Sequence, residues 1–252
     1  MLVLLPPSET KRDGGEGGAL DLGALSFPSL HAVRSRLVRD VVGLASDPEA
    51  MMRALKLGPR QAGEVDRNAA LRGSPTMAAI DRYTGVLYDA LDAHSLDDSA
   101  RAYAAEHIAV HSALFGLVGA LDPIPAYRLS HDSRVPGERL KARWRASIGD
   151  ALAATDGLLL DLRSEGYAEL GPVPARPGSV FVRVVAEDGV GRRRALNHFN
   201  KQAKGRFARA LLEHRPEPAT VSDLVDWAAS AGFVLDAGEG GPGTAREVQL
   251  VA

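Results

Sequence analysis

The chain has 252 residues, 45% hydrophobic and 25% charged, and no cysteine. This balance gives a globular protein with a substantial core and excludes disulfide scaffolds, thiolate metal sites and disordered or fibrous classes. A formal net charge of −2 excludes a globally basic nucleic-acid binder and leaves local patches as the places where an anion could dock.

Val3 to Leu5 is an apolar run halted by Pro6-Pro7, which predicts a buried first strand ending in a stiff loop with Ser8, Glu9 and Lys11 at its exit. The glycine-rich Asp13 to Gly18 reads as a mobile connector. Val33, Leu37, Val41 and Leu44 recur at helical spacing, and Asp47-Pro48 opens a second helix to about Leu57. Gly58-Pro59 breaks it, and Arg60 to Leu71 reads as a third helix. A further helical stretch is expected from Ser74-Pro75 through Ile80, Tyr83, Leu87, Tyr88 and Leu91, and another from Leu96 to Glu106.

His107 to Leu117 then reads as one continuous strand ending at Gly119, followed by the loop Asp122-Pro-Ile-Pro-Ala-Tyr-Arg and a basic helix around Trp144. Leu158 to Leu162 and Val180 to Val185 are expected strands, with Arg193 to Leu196 able to pair back on the second across Asp188-Gly189. Helices from Asn200 to His214 and Val221 to Ala231 follow, then a hairpin of Phe233 to Leu235 with Val248 to Val251. The interleaving predicts a single mixed α/β domain over residues 1–252, with a central mixed sheet, surrounding helices and a helical insertion over about 30–106.

The longest apolar stretch, Ile108 to Leu121, is broken by His111 and Ser112, so no membrane span is expected and the reading is cytoplasmic. Neither histidine nor carboxylate spacing points to a metal, and there is no dinucleotide fingerprint, P-loop or serine-hydrolase elbow, so no cofactor is expected.

Charge is unevenly spread. Arg192, Arg193, Arg194, Lys201, Lys204, Arg206, Arg209 and Arg215 face a single acid, Glu213, and a second basic run covers Arg134 to Arg145. Either these are solvated helix faces or they bind an anion. Of thirty basic residues twenty-five are Arg and five are Lys, so a lysine here is suspected of being kept for its compact ammonium or tunable pKa. Three of the five fall in Ser8-Glu-Thr-Lys11 and in Asn197-His-Phe-Asn-Lys-Gln-Ala-Lys-Gly205. The second segment sits where a strand hands over to a helix, which would aim Asn200, Lys201 and Lys204 at an anion near the helix N-terminus. The alternative has Asn200 as a cap, His198 partly buried and both lysines solvated. The Gly58 turn could offer backbone N–H groups to a phosphate, as helix-hairpin-helix turns do, or serve as a plain helix stop.

Met1 to Lys11 (LVLLPPSETK), Tyr83-Thr-Gly-Val-Leu-Tyr88, Ser112 to Leu117, Asp122 to Leu129 and Asn197 to Gly205 together resemble the YaaA family of peroxide-stress proteins in its actinobacterial form. The resemblance implies a role in limiting oxidative damage to DNA and free iron, and a DNA-binding α/β fold with a positively charged cleft and a helix-hairpin-helix. It marks Ser8, Glu9, Lys11, Tyr83, Gly85, Tyr88, Tyr127, Arg128, His198, Asn200, Lys201 and Lys204.

Two functions follow as expectations. The first is a stress protein that binds duplex or damaged DNA through the Arg192 to Arg215 surface and the Gly58 turn, with Arg206 among the contacts. The second is an enzyme acting on a nucleobase, nucleoside or DNA base as a glycosidase or lyase. In it Lys201 or Lys204 is the amine, Glu9 the acid/base and His198 an auxiliary. Either way Ser8 to Lys11 and Asn197 to Lys204 are expected to converge in one crevice at the carboxyl ends of neighbouring parallel strands, with Arg128 at the rim.

Overall fold

Four aliphatic side chains in a row form β1 (Leu2–Leu5), and all are buried, because a strand paired on both edges and covered on both faces has no solvent side for a polar residue. β1 pairs in parallel with β3 (Ile108–Ser112) on one edge and β6 (Leu159–Asp161) on the other. The computed structural model describes residues 1–187, 193–195, 199–237 and 246–251. Beyond β6 come β7 (Ser179–Glu187) and β10 (Arg246–Val251), both parallel, and then β9 (Val234–Ala237), antiparallel. β4 (Gly116–Gly119) closes the opposite edge against β3. The short β8 (Arg193–Ala195) is antiparallel to the end of β7. Since β10 holds one edge of β7 as far as Val185, β8 takes the other edge, the one β6 leaves free past Asp161. The result is one mixed α/β domain on a continuous eight-stranded sheet.

The chain between β1 and β3 holds α1 (His31–Leu44), α2 (Pro48–Leu55), α3 (Gly63–Ala69), α4 (Ala79–Arg82), α5 (Val86–Leu91) and α6 (Asp98–His107). The expected cap at Asp47 forms, its carboxylate accepting from Ala50 N–H at 3.0 Å, and Asp97 caps α6 in the same way, accepting from Ala100 N–H at 2.7 Å. α7 (Leu140–Ala153), α8 (Glu165–Ala168), α9 (Phe199–His214) and α10 (Val221–Ser230) complete the layers. No helix of the described residues is long and apolar enough to cross a membrane.

Four sequence expectations are corrected. The stretch from Ser74 is not helical throughout: Thr76–Ala78 forms β2, antiparallel to β5 (Pro123–Pro125), because partner carbonyls of a distant loop satisfy its backbone. The run His107 to Leu117 is two strands. Ser112 Oγ accepts from the N–H groups of Leu114 and Phe115, at 3.1 and 2.9 Å, and so forces a turn. Gly116 completes that turn at φ 66°, where an added Cβ would lie 2.9 Å from the Trp144 ring.

The glycine segment 13–18 is docked rather than free. Gly17 and Thr76 exchange backbone hydrogen bonds, at 2.9 and 3.3 Å, in a flush approach that a Cβ would prevent. At the turn after α2 the left-handed residue is Lys56, φ 56°, whereas Gly58 has an ordinary φ of −83°. The Gly58 N–H donates to Gln61 Oε1 at 3.1 Å, so the donor expected to face a phosphate is used within the turn.

Candidate functional site

β1 and β6 are neighbours whose onward connections leave in opposite directions, to β3 on one side and β7 on the other, so their carboxyl ends flank the crevice where open α/β sheets take ligands. Pro6, Pro7 and Glu9 leave β1, and Leu162 and Ser164 leave β6. With Leu87, His131, Tyr167, Asn200, Lys201 and Lys204 they line a small cavity of about 110 Å³. A larger cavity of about 460 Å³ adjoins it, sharing His131, Ser164, Asn200 and Lys204 and adding Phe181 and Arg183.

The expected convergence of the 8–11 and 197–204 segments is thus met in part. Glu9 lines the smaller cavity together with Asn200, Lys201 and Lys204, and the route differs from the one expected. Asn200 and the lysines do not follow a parallel neighbour of β1; they come from α9, which starts after the antiparallel β8 and lies across the end of β6. His198 and Asn197 lie outside the described residues.

α9 is held there by contact that only a glycine permits. At Gly205 an added Cβ would lie 2.8 Å from Ala90 Cβ and closer still to the Leu87 carbonyl oxygen of α5. This places Lys204, the preceding residue, inward: it is 4% exposed, and its Nζ donates to the Arg163 carbonyl at 3.2 Å and sits 5.5 Å from the Phe181 ring centroid. Burial, with Arg183 adding to it, lowers its pKa to about 8 against the opposing pull of Asp161 and Glu165. Lys201 and Arg206 are exposed.

Arg163 is itself fixed. Its guanidinium forms a buried two-point pair with Asp161, Nε to Oδ1 at 2.8 Å and Nη2 to Oδ2 at 2.6 Å, and Nη1 meets His111 Nδ1 at 2.8 Å. Burial and then Arg163 push the His111 pKa well down, so the ring is neutral. As Nδ1 accepts, the proton is on Nε2, which has no partner among the described residues. The Tyr167 ring packs between the two imidazoles, 5.7 Å from His111 and 5.1 Å from His131. Sequence reasoning missed Arg163, Ser164, His131, Tyr167 and Phe181. A signal existed for the first two: they directly follow Leu158 to Leu162, the stretch expected as a strand, at its carboxyl end.

Lys11 does not line either cavity. It is 8% exposed; its Nζ donates to the carbonyls of Ser8 at 2.8 Å and Glu9 at 3.3 Å, and lies 4.1 Å from the Tyr127 ring centroid and 5.3 Å from that of Tyr83. Burial foremost, then Arg128, brings its pKa down to about 7. It ties the loop back on itself, so the hydrogen bonds described for residues 8–11 go within that loop or to Thr84, not to Lys201 or Lys204.

The three tyrosines form the layer beneath. Tyr83 and Tyr127 share a hydroxyl hydrogen bond of 2.9 Å, Tyr127 reaches Ser112 Oγ at 2.7 Å, and Tyr88 OH donates to the Pro6 carbonyl at 2.8 Å. Gly85, φ 99°, lets the Tyr83–Tyr88 turn approach Ser8 Oγ. Arg128 is held through its backbone by Asn68, which donates to its carbonyl at 2.8 Å and accepts from its N–H at 2.9 Å. It stands beside Lys11 instead of at the rim of the cavities.

Several described members of the two basic runs are engaged within the fold. Arg209 donates to the carbonyls of Leu91 and Asp92 and pairs with Glu213; Arg215 pairs with Asp97 at 3.9 Å. In the other run Arg143 pairs with Asp40 and Lys141 with Glu169. Among the described residues no group of three or more His, Cys, Asp or Glu is placed to hold a metal.

A family model described as peroxide stress protein YaaA matches residues 1–239. The chain belongs to that family. A UPF0246 protein of Corynebacterium efficiens is 44% identical over 245 residues, covering 95% of this chain and 96% of the relative. One of Streptomyces coelicolor is 42% identical over 245 residues, 94% and 92% of the two chains. The residues matched to the YaaA family hold the crevice, α9 and the described strands of the sheet up to β9.

Proposed function

We propose that this YaaA-family protein serves peroxide-stress protection in the cytoplasm through the crevice between β1 and β6, which binds a purine- or pyrimidine-type base, free or presented by DNA. The observation that carries this reading is Lys204, a buried ammonium opening onto both cavities beside an aromatic ring, an amide and a hydroxyl. Phe181 offers a face for stacking, Asn200 and Ser164 offer matched donors and acceptors, and Glu9 joins the lysines in lining the smaller cavity. DNA binding through the Arg192 to Arg215 run has weaker support, since Lys204 is buried and Arg209 and Arg215 are engaged within the fold. DNA therefore enters as a source of the base, with Lys201 and Arg206 as outer phosphate contacts.

Titration of the four common bases, their nucleosides and a short duplex containing a damaged base, followed by calorimetry or ligand-observed NMR, tests this. Saturable binding that Lys204→Met and Asn200→Ala weaken at least tenfold is expected. Binding of a base within DNA should fall with salt, and that of a free base should not. No binding of any probe at millimolar concentration overturns the reading.

A further inference from the structure

We propose that Lys204 is the amine nucleophile of this crevice and condenses with a sugar aldehyde, the C1 carbonyl exposed when a nucleoside or DNA strand has lost its base, to form a Schiff base. This rests on the crevice being a base site, because the aldehyde is the atom that the departed base leaves behind.

The lysines of the two suspected segments differ in what the fold does with them. Lys201 is exposed and resembles a solvated ammonium. Lys11 is buried, but its Nζ is held by two carbonyls and two aromatic rings and reaches neither cavity. Lys204 combines burial with access. Its described hydrogen bond goes to a neutral acceptor, the Arg163 carbonyl, and the nearby Asp161 carboxylate is already bound at two points by Arg163. The charge on Nζ therefore lacks a close carboxylate among those contacts. With a pKa near 8, about a tenth of the side chain is neutral amine at pH 7, against less than about a thousandth for an ordinary lysine.

The reaction needs no oxidant. The neutral Nζ attacks the aldehyde carbon and the C=O electron pair moves to oxygen, while one Nζ proton passes by way of the Glu9 carboxylate to that oxygen and gives a carbinolamine. The second Nζ proton passes the same way to the hydroxyl, which leaves as water as the nitrogen lone pair forms C=N. Amine plus aldehyde gives imine plus water. His131, which lines both cavities with Nδ1 unpartnered among the described residues, stands where it can assist the proton transfers.

The test incubates the full chain with 2-deoxyribose 5-phosphate and with an abasic-site oligonucleotide under cyanoborohydride, then maps the reduced adduct by peptide mass. Modification at Lys204 is expected, with a rate that climbs with pH and levels off near 8. Lys204→Arg should lose it, and Lys141→Ala, which alters an exposed lysine paired with Glu169 outside both cavities, should keep it. If the Lys204 variant melts early, mapping on the unaltered chain decides. An adduct on Lys201, one scattered over lysines and the N-terminus, or none at all overturns the proposal. Retained base binding without an adduct sinks the Schiff base alone, whereas an adduct at Lys204 with no base binding sinks the base-site reading instead.

Discussion

The Lys204 ammonium donates to the Arg163 carbonyl at 3.2 Å while the Arg163 guanidinium is locked to Asp161, so a buried ion pair at the end of β6 fixes the amine of the crevice through the backbone. The position of Lys204 thus depends on an ion pair whose two side chains make no described hydrogen bond to it.

Asp161→Asn should expose that dependence. Both members of the pair are at most 1% exposed, and removing one charge leaves the other buried and uncompensated, a loss of about 3–5 kcal/mol. Urea unfolding should show a lower midpoint with an unchanged slope. Lys204→Met, which removes a buried charge held by a neutral acceptor, should cost far less.

Stability should rise with pH above neutrality. Below about pH 7 the folded and unfolded chains both carry the Lys11 proton. Between about pH 7 and the ordinary lysine range the unfolded chain keeps it and the folded chain does not, so unfolding becomes harder by up to about 1.4 kcal/mol per pH unit. Lys204 adds a similar trend from about pH 8. The charges acting on Lys11 are Arg128 and Arg67 against Glu9 and Glu64. Chemical unfolding from pH 6.5 to 9.5 should give a steeper rise for the natural chain than for Lys11→Met; equal slopes would mean that the ammonium is well solvated.

Gly205→Ala should loosen α9 from α5. Its Cβ would meet the Leu87 carbonyl and Ala90 Cβ, a conflict with backbone that rotamer changes cannot relieve, at about 1–3 kcal/mol. The thermal midpoint should fall by several degrees, and reactivity at Lys204 should fall with it.

Glu9→Gln should leave stability within about 0.5 kcal/mol, since Glu9 is an exposed residue, while slowing adduct formation at Lys204. Parallel thermal melts and trapping rates separate the two effects; a variant that loses stability and keeps its rate would place Glu9 in the scaffold.

Much of this was legible in the residues themselves. Leu2–Leu5 and Leu158 to Leu160 announce buried strands because an uninterrupted aliphatic run of that length needs cover on both faces, and Asp47-Pro48 sets a helix start through a cap local to four residues. The scarcity of lysine, five against twenty-five arginines, and the two segments that hold three of them pointed to the crevice. What the sequence could not decide was which lysine faces inward. Lys201 and Lys204 lie one helical turn apart with the same side chain, and the difference in their environments arises when Gly205 seats α9 on α5 and carries one of them over the end of β6. The same holds for Lys11, whose ammonium is absorbed by the carbonyls of its own loop and the rings of Tyr83 and Tyr127. It holds too for members of the basic runs such as Arg209, taken up by the Leu91 and Asp92 carbonyls, and Arg143, paired with Asp40. Local patterning determined the elements; long-range packing, which sets burial and partners, determined which charges remained free to do chemistry.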